Sequence, residues 1–102
     1  MVREINLINT DEDIIDEIGQ RIEVKTVTPV FAEIDSITQS EFLSGGQLGL
    51  HPDLRFRVWA HEYNGQKMLE YDNAVYSVYR TYQAPDGRTE LYTETRIGEN
   101  DN

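Results

Sequence analysis

The feature that most constrains this chain is a two-residue alternation that recurs along its length. Ile22, Val24 and Thr26 alternate with Arg21, Glu23 and Lys25. Val30, Ala32, Ile34 and Ser36 alternate with Phe31, Glu33, Asp35 and Ile37. Leu54, Phe56, Val58 and Ala60 alternate with Arg55, Arg57, Trp59 and His61, and Leu91, Thr93, Thr95 and Ile97 with Glu90, Tyr92, Glu94 and Arg96. A period of two sends the two sets to opposite faces of a pleated strand. The segment Ala74 to Tyr82 is rich in Val and Tyr, which strands favour, and Ile5 to Ile8 adds a further candidate.

Turn residues divide these strands. Asn64-Gly65 can take the positive φ values of a tight hairpin, and Asp72-Asn73 is a weaker form of that signal. Pro85-Asp86-Gly87 favours a chain reversal. Residues 54–97 therefore read as four antiparallel strands in a meander, and the earlier segments bring the total to six or so. One open sheet of that kind leaves long unpaired edges, so the expected fold is all-β, a small antiparallel β-barrel.

The 102 residues suit a single domain, 1–102. A chain of this length buries roughly 65% of the surface exposed on unfolding, enough for one core without staples. Cysteine is absent, so neither disulfides nor thiolate metal sites arise. No apolar run approaches the roughly 20 residues of a membrane span. The start, Met1-Val2-Arg3-Glu4-Ile5-Asn6, lacks the pattern of a signal peptide, so a soluble cytoplasmic protein is expected. Nineteen Asp and Glu against nine Lys and Arg give a net charge of -10. Nucleic-acid binding draws on clustered cations, so the balance argues against tight DNA or RNA binding and against an anionic membrane. The end of the chain, 98–102, has no apolar residue and reads as a loose tail.

Residues 38–53 break the alternation. They contain Gly45, Gly46 and Gly49 together with Phe42, Leu43, Leu48 and Leu50, which a solvated linker has no reason to carry. Ser40 can cap one helical turn through Leu43 that Gly45 ends. The expectation is a long mobile loop whose apolar side chains either fold onto a partner or lie as a flap on their own barrel.

Specific catalytic chemistry is missing. His51 lies in the glycine-containing segment and His61 on the polar face of a strand, and neither has ligand spacing for a metal with Asp53 or Glu62. No nucleophile motif is present, and Gly45-Gly46-x-x-Gly49 lacks the Lys of a phosphate loop. The reading is no enzyme, no cofactor and no metal. Trp59, Tyr76, Tyr79, Tyr82 and Tyr92 invite comparison with a base-stacking platform, with Arg55, Arg57, Arg80, Arg88 and Arg96 as a local basic patch. Cross-strand pairing of those arginines with acids such as Glu90 and Glu94 is the plainer alternative.

From Phe31 to Gly98 an ordered series of segments is similar to a known family. It begins with Phe31-Ala32-Glu33-Ile34-Asp35-Ser36-Ile37. It continues through Ser40-Glu41-Phe42-Leu43-Ser44-Gly45-Gly46-Gln47-Leu48-Gly49-Leu50-His51-Pro52-Asp53, then Glu62-Tyr63-Asn64-Gly65-Gln66 and the tyrosine-rich stretch Glu70 to Tyr82. It closes with Glu90-Leu91-Tyr92 and Arg96-Ile97-Gly98. The series resembles the head–tail joining proteins of siphophages, the stopper or head-closure family. Gly45 stands where the family has a small alanine, His51 where a lysine is common, and Asp72-Asn73-Ala74 where an Asn-Gly turn is usual.

The resemblance implies a structural protein of the virion, assembled in the host cytoplasm. It implies a β-barrel that is monomeric when isolated and forms a ring, dodecameric in the virion, on the head–tail connector. The portal-side adaptor protein would hold one side of the ring, and a tail-side completion or terminator protein would meet the other. Genomic DNA would pass through without tight binding. It also implies that the long loop reaches the channel axis, which assigns an interaction and gating role to Glu41, Phe42, Leu43, Gly45, Gly46, Leu48, Gly49, Leu50, His51 and Pro52. On this reading the apolar side chains cluster between copies, and the glycines act as hinges. The alternatives are an acidic DNA-mimic inhibitor of a host nuclease, or a small oligonucleotide-binding barrel.

Overall fold

The computed structural model describes residues 2–10, 14–15, 17–22 and 25–95. Six strands close into an antiparallel barrel: β1 (Val2–Thr10), β4 (Lys25–Ser36), β5 (Pro52–Trp59), β8 (Arg88–Thr95), β7 (Ala74–Gln83) and β6 (Met68–Tyr71), in that spatial order. Two short strands, β2 (Ile14–Ile15) and β3 (Arg21–Ile22), pair with each other outside it. The expected all-β barrel is thus present, and residues 39–47 add one helix.

Alternation chose the faces correctly. Val30 and Ala32 of β4, Phe56 and Val58 of β5, and Leu91 and Thr93 of β8 are buried. Cross-strand register stacks them into the core: Ile5 opposite Val30, Ile34 opposite Phe56, Phe56 opposite Leu91, Leu69 opposite Tyr76 and Leu7 opposite Leu69. The β1–β6 pairing is the seam that closes the barrel and removes the open edges of a flat sheet. Phe56 meets Tyr71 and Tyr76 edge-on, with ring centroids 5.8 and 5.5 Å apart, a favoured aromatic geometry. Buried Thr93 is satisfied by donating from Oγ1 to the Leu54 carbonyl at 2.9 Å. The acceptor lies in β5 where its register against β8 shifts between Pro52 and Arg55.

The four-strand meander over 54–97 is corrected. β6, β7 and β8 do form a meander, but β5 pairs with β4 and β8 and not with β6. After β5 the chain forms a 3-10 turn, Ala60–Glu62, and crosses to β6 through 63–67. Asn64-Gly65 therefore belongs to this crossing and is not a hairpin turn. Gly65 takes φ +80, and the buried Gln66 fixes the segment by accepting from the Asn64 N–H at 2.8 Å. Ala60 and His61 lie in the 3-10 turn, so His61 is not on a strand. Asp72 and Asn73, by contrast, both take positive φ, 54° and 64°, and link Tyr71 directly to Ala74. That is the two-residue hairpin geometry matched to strand twist. Pro85-Asp86-Gly87 makes the next turn, with Gly87 at φ +85 and Asp86 accepting from the Arg88 N–H. The strand expected over Ile22 to Thr26 is divided between β3 and β4; Glu23 and Val24 lie outside the described residues, as do Arg96, Ile97 and the expected loose tail 98–102.

Candidate functional site

Between β4 and β5 the chain leaves the barrel and returns as α1 (Gln39–Gln47). The expectation of a single turn capped by Ser40 and ended by Gly45 is corrected. Thr38 is the N-cap: its Oγ1 accepts from the Glu41 N–H at 3.2 Å. The helix then runs through Gly45 and Gly46 and stops at Leu48. There the Gly49 N–H donates to the Gly46 carbonyl and the Leu50 N–H to the Gly45 carbonyl, at 3.0 and 2.9 Å, with Gly49 at φ +82. This paired closure satisfies carbonyls that a helix end otherwise leaves open.

The glycines divide the work differently from three hinges. Gly45 is buried, and a Cβ placed on it would overlap Cγ of Pro52 and lie 3.3 Å from its Cδ. It is the point where α1 touches β5. Gly46 has open space around it, and Gly49 supplies the left-handed turn.

Of the other residues expected to act here, Phe42 is 54% exposed, Leu43 57% and Leu48 78%. Leu50 is half-buried, His51 is exposed and donates its backbone N–H to Glu94 Oε1 at 3.0 Å, and Pro52 is buried as the first residue of β5. Phe42, Leu43 and Leu48 thus stay on the surface of the single subunit, while Gly45 and Pro52 turn inward. The segment is a helical arm seated on its barrel, with an apolar outer surface.

What seats it is Glu41. Its Oε2 accepts from the Tyr79 hydroxyl at 2.7 Å and from Arg80 Nε at 3.0 Å, and its Oε1 accepts from Arg80 NH2 at 2.6 Å. Hydrogen bonds from the Arg80 guanidinium, more than anything else, hold the Glu41 carboxyl below the usual carboxylate range; the Tyr79 hydroxyl adds to this, and partial burial opposes it. Tyr79 is pushed well above the ordinary tyrosine value, first by burial and then by its bond to the Glu41 carboxylate. The guanidinium of Arg80 also lies over the Tyr92 ring, 3.8 Å from its centroid. Neither Tyr79 nor Arg80 was singled out by sequence as a partner of the arm, because the contacts span 38 and 39 residues.

Arg55, Arg57 and Arg88 are engaged across the sheet. Arg55 binds Asp35 at 3.0 Å, and Arg57 binds Glu33 at 2.9 Å and Asp35 at 3.4 Å. Arg88 reaches Glu33 at 3.5 Å and stacks over Trp59 at 4.0 Å. Glu90 accepts from the Tyr92 hydroxyl and lies 4.0 Å from Arg55. Glu33 and Asp35, which alternation put on one face of β4, stand in register with Arg57 and Arg55. The five aromatic residues do not make one platform. Tyr76 lies in the core, Tyr92 is buried under Arg80 and Tyr79 is bonded to Glu41, leaving Trp59 and Tyr82 as the two with substantial exposure.

Among the described residues no group of three or more His, Asp and Glu side chains is placed to hold a metal, and no described helix is long and apolar enough to cross a membrane. No protein-family model matches the sequence, and no curated protein matches it.

Proposed function

We propose that this chain is a structural head-completion protein of a long-tailed bacteriophage, which joins the DNA-filled head to the tail and helps to close the DNA channel. The observation that carries the reading is the arm: a helix whose Phe42, Leu43 and Leu48 stay exposed on a small closed barrel. Apolar side chains displayed together favour contact with another surface. The same helix falls within the series of segments that resembles the head-closure family. Copies gathered in a ring hold their arms at high effective concentration, so contacts too weak to form between free subunits form in the assembly. The adaptor below the portal and a tail-side protein are the partners this role requires, and the virion is its place of work.

Charge supports the channel role. A chain of net charge -10 does not hold passing phosphates. Arg55, Arg57, Arg80 and Arg88 each sit beside a carboxylate, which weakens the oligonucleotide-binding alternative. It weakens the DNA mimic equally, since Glu33, Asp35, Glu41 and Glu90 are the acids so engaged.

The test is a phage carrying Phe42→Ser, Leu43→Ser and Leu48→Ser together. These are surface changes, so the subunit should fold. Filled heads should leak DNA or fail to join tails. Heads that keep their DNA and take tails as efficiently as the parent would overturn the proposal. The free protein should also leave duplex DNA unshifted in moderate salt.

A further inference from the structure

Three polar contacts converge on the single carboxylate of Glu41, and they come from two adjacent residues of β7. Among the described residues no other α1 side chain is hydrogen-bonded or ion-paired to the barrel. Arg80 meets the carboxylate with Nε and NH2 on separate oxygens, the two-pronged geometry that suits guanidinium to a planar anion. The register of β7 against β8 shifts between Val78 and Arg80, and such irregularities re-aim side chains. An open groove of about 250 Å³ adjoins the contact and includes Tyr63, Lys67, Tyr79 and Arg80. On a chain of net charge -10, this groove brings together two cations, Lys67 and Arg80, with the hydroxyl side chains of Tyr63, Tyr79 and Thr81.

We propose that Tyr79 and Arg80 form a carboxylate-binding site whose ligand is the chain's own Glu41, and that this contact is a catch setting the position of the arm. The C-terminal end of α1 has its own fixing, where Gly45 packs on Pro52 and the helix closes at Gly49 and Leu50. The N-terminal half, with Phe42 and Leu43, depends on the catch. With Glu41 seated, the apolar face is held in one place on the barrel. With Glu41 unseated, that half of α1 can tilt while Gly45 and Thr38 stay tethered to β5 and β4. The arm therefore arrives at assembly already folded, and what assembly changes is its angle. This last step rests on the head-completion reading; the catch itself does not.

Hydrogen exchange of the isolated protein tests the catch. Glu41→Gln keeps the backbone N–H that Thr38 caps but removes the charge that Arg80 binds. The amides of residues 42–48 should exchange about threefold to fivefold faster, as loss of a partly exposed ion pair allows, while those of Phe56 and Leu91 stay as they were. Arg80→Glu should do the same, and the exchanged pair Glu41→Arg with Arg80→Glu should recover most of the protection. Unchanged exchange in Glu41→Gln, or equal loss in the single and the exchanged variants, would overturn the catch. Head completion by phage carrying Glu41→Gln separates the two readings. Faster exchange with unaltered DNA retention and tail joining upholds the catch and counts against the arm as a contact between copies.

Discussion

Phe42 and Phe56 are the same residue in adjacent elements, and their surroundings are opposite. Phe56 is fully buried, with Ile34 and Leu91 opposite it on the neighbouring strands and two tyrosine rings against its edges. Phe42 keeps 54% of its surface in solvent. The barrel is held by many contacts that no single residue controls, whereas α1 is held at two places, Gly45 on Pro52 and Glu41 on Tyr79 and Arg80. Redundant packing gives a rigid scaffold. A two-point mount gives an element whose position one side chain can change without unfolding the rest.

The largest effect should come from removing the barrel's centre. Phe56→Ala should cost about 3–5 kcal/mol, a large fraction of the roughly 5–15 kcal/mol available to a domain. Urea unfolding should show a midpoint lowered to match, with Phe42→Ala far milder. Equal losses for the two would mean that the arm is as much a part of the core as β5.

The next effect separates two neighbouring glycines. Gly45→Ala drives a methyl into the Pro52 ring and should destabilise by about 1–3 kcal/mol, as overpacking does. Gly46→Ala meets open space on a helix and should stabilise by about 0.5–1 kcal/mol. Thermal melting of the pair should move in opposite directions. Matching shifts would show that α1 does not pack where Gly45 meets β5.

The same contrast explains what the sequence made legible. Which residues face inward in β4, β5 and β8 followed from side-chain chemistry, because burial of Val30, Ala32, Phe56 and Leu91 is decided by alternation. Which strand lies beside which did not follow. Alternation is blind to neighbours, so the β5–β8 pairing of Phe56 with Leu91 was hidden and a meander was expected. Tyr76 looked available for stacking because its segment is uniformly aromatic; the register of β7 turns it into the core opposite Leu69. For the arm, the unusual residues were visible but their conformation was misjudged. Thr38-x-x-Glu41 is a helix-start pattern, yet the adjoining glycines suggested an early stop. Gly45 lies inside the helix all the same, at a place where Pro52 leaves no room for a side chain. The Glu41–Arg80 contact joins residues far apart in sequence, and nothing local announces it.

Acid should act on the arm before the core. Glu41 has a lowered folded-state pKa, so its contribution is fully present above the unfolded value of about 4.3 and is lost as pH falls through the folded value. The Arg80 side chain is 45% exposed, so solvent screening limits the contribution to about 1 kcal/mol or less. Stability measured from pH 6 downward should fall more steeply in the parent than in Glu41→Gln. Identical slopes would mean that the Glu41 carboxylate is not held more tightly in the folded protein.

The smallest effect on stability is expected where the proposed function is greatest. Leu43 is 57% exposed, so Leu43→Ser removes little buried surface and should change the unfolding free energy by no more than about 0.5 kcal/mol. If the arm meets other copies, that substitution should still weaken their association, because the exposed leucine is the part that a neighbour would cover. Calorimetry of the isolated subunit and sedimentation at high concentration read the two quantities separately. A Leu43→Ser variant that melts well below the parent would place this side chain with the barrel core, and the division between a self-sufficient scaffold and an outward-facing arm would then fail at the residue where it is drawn most sharply.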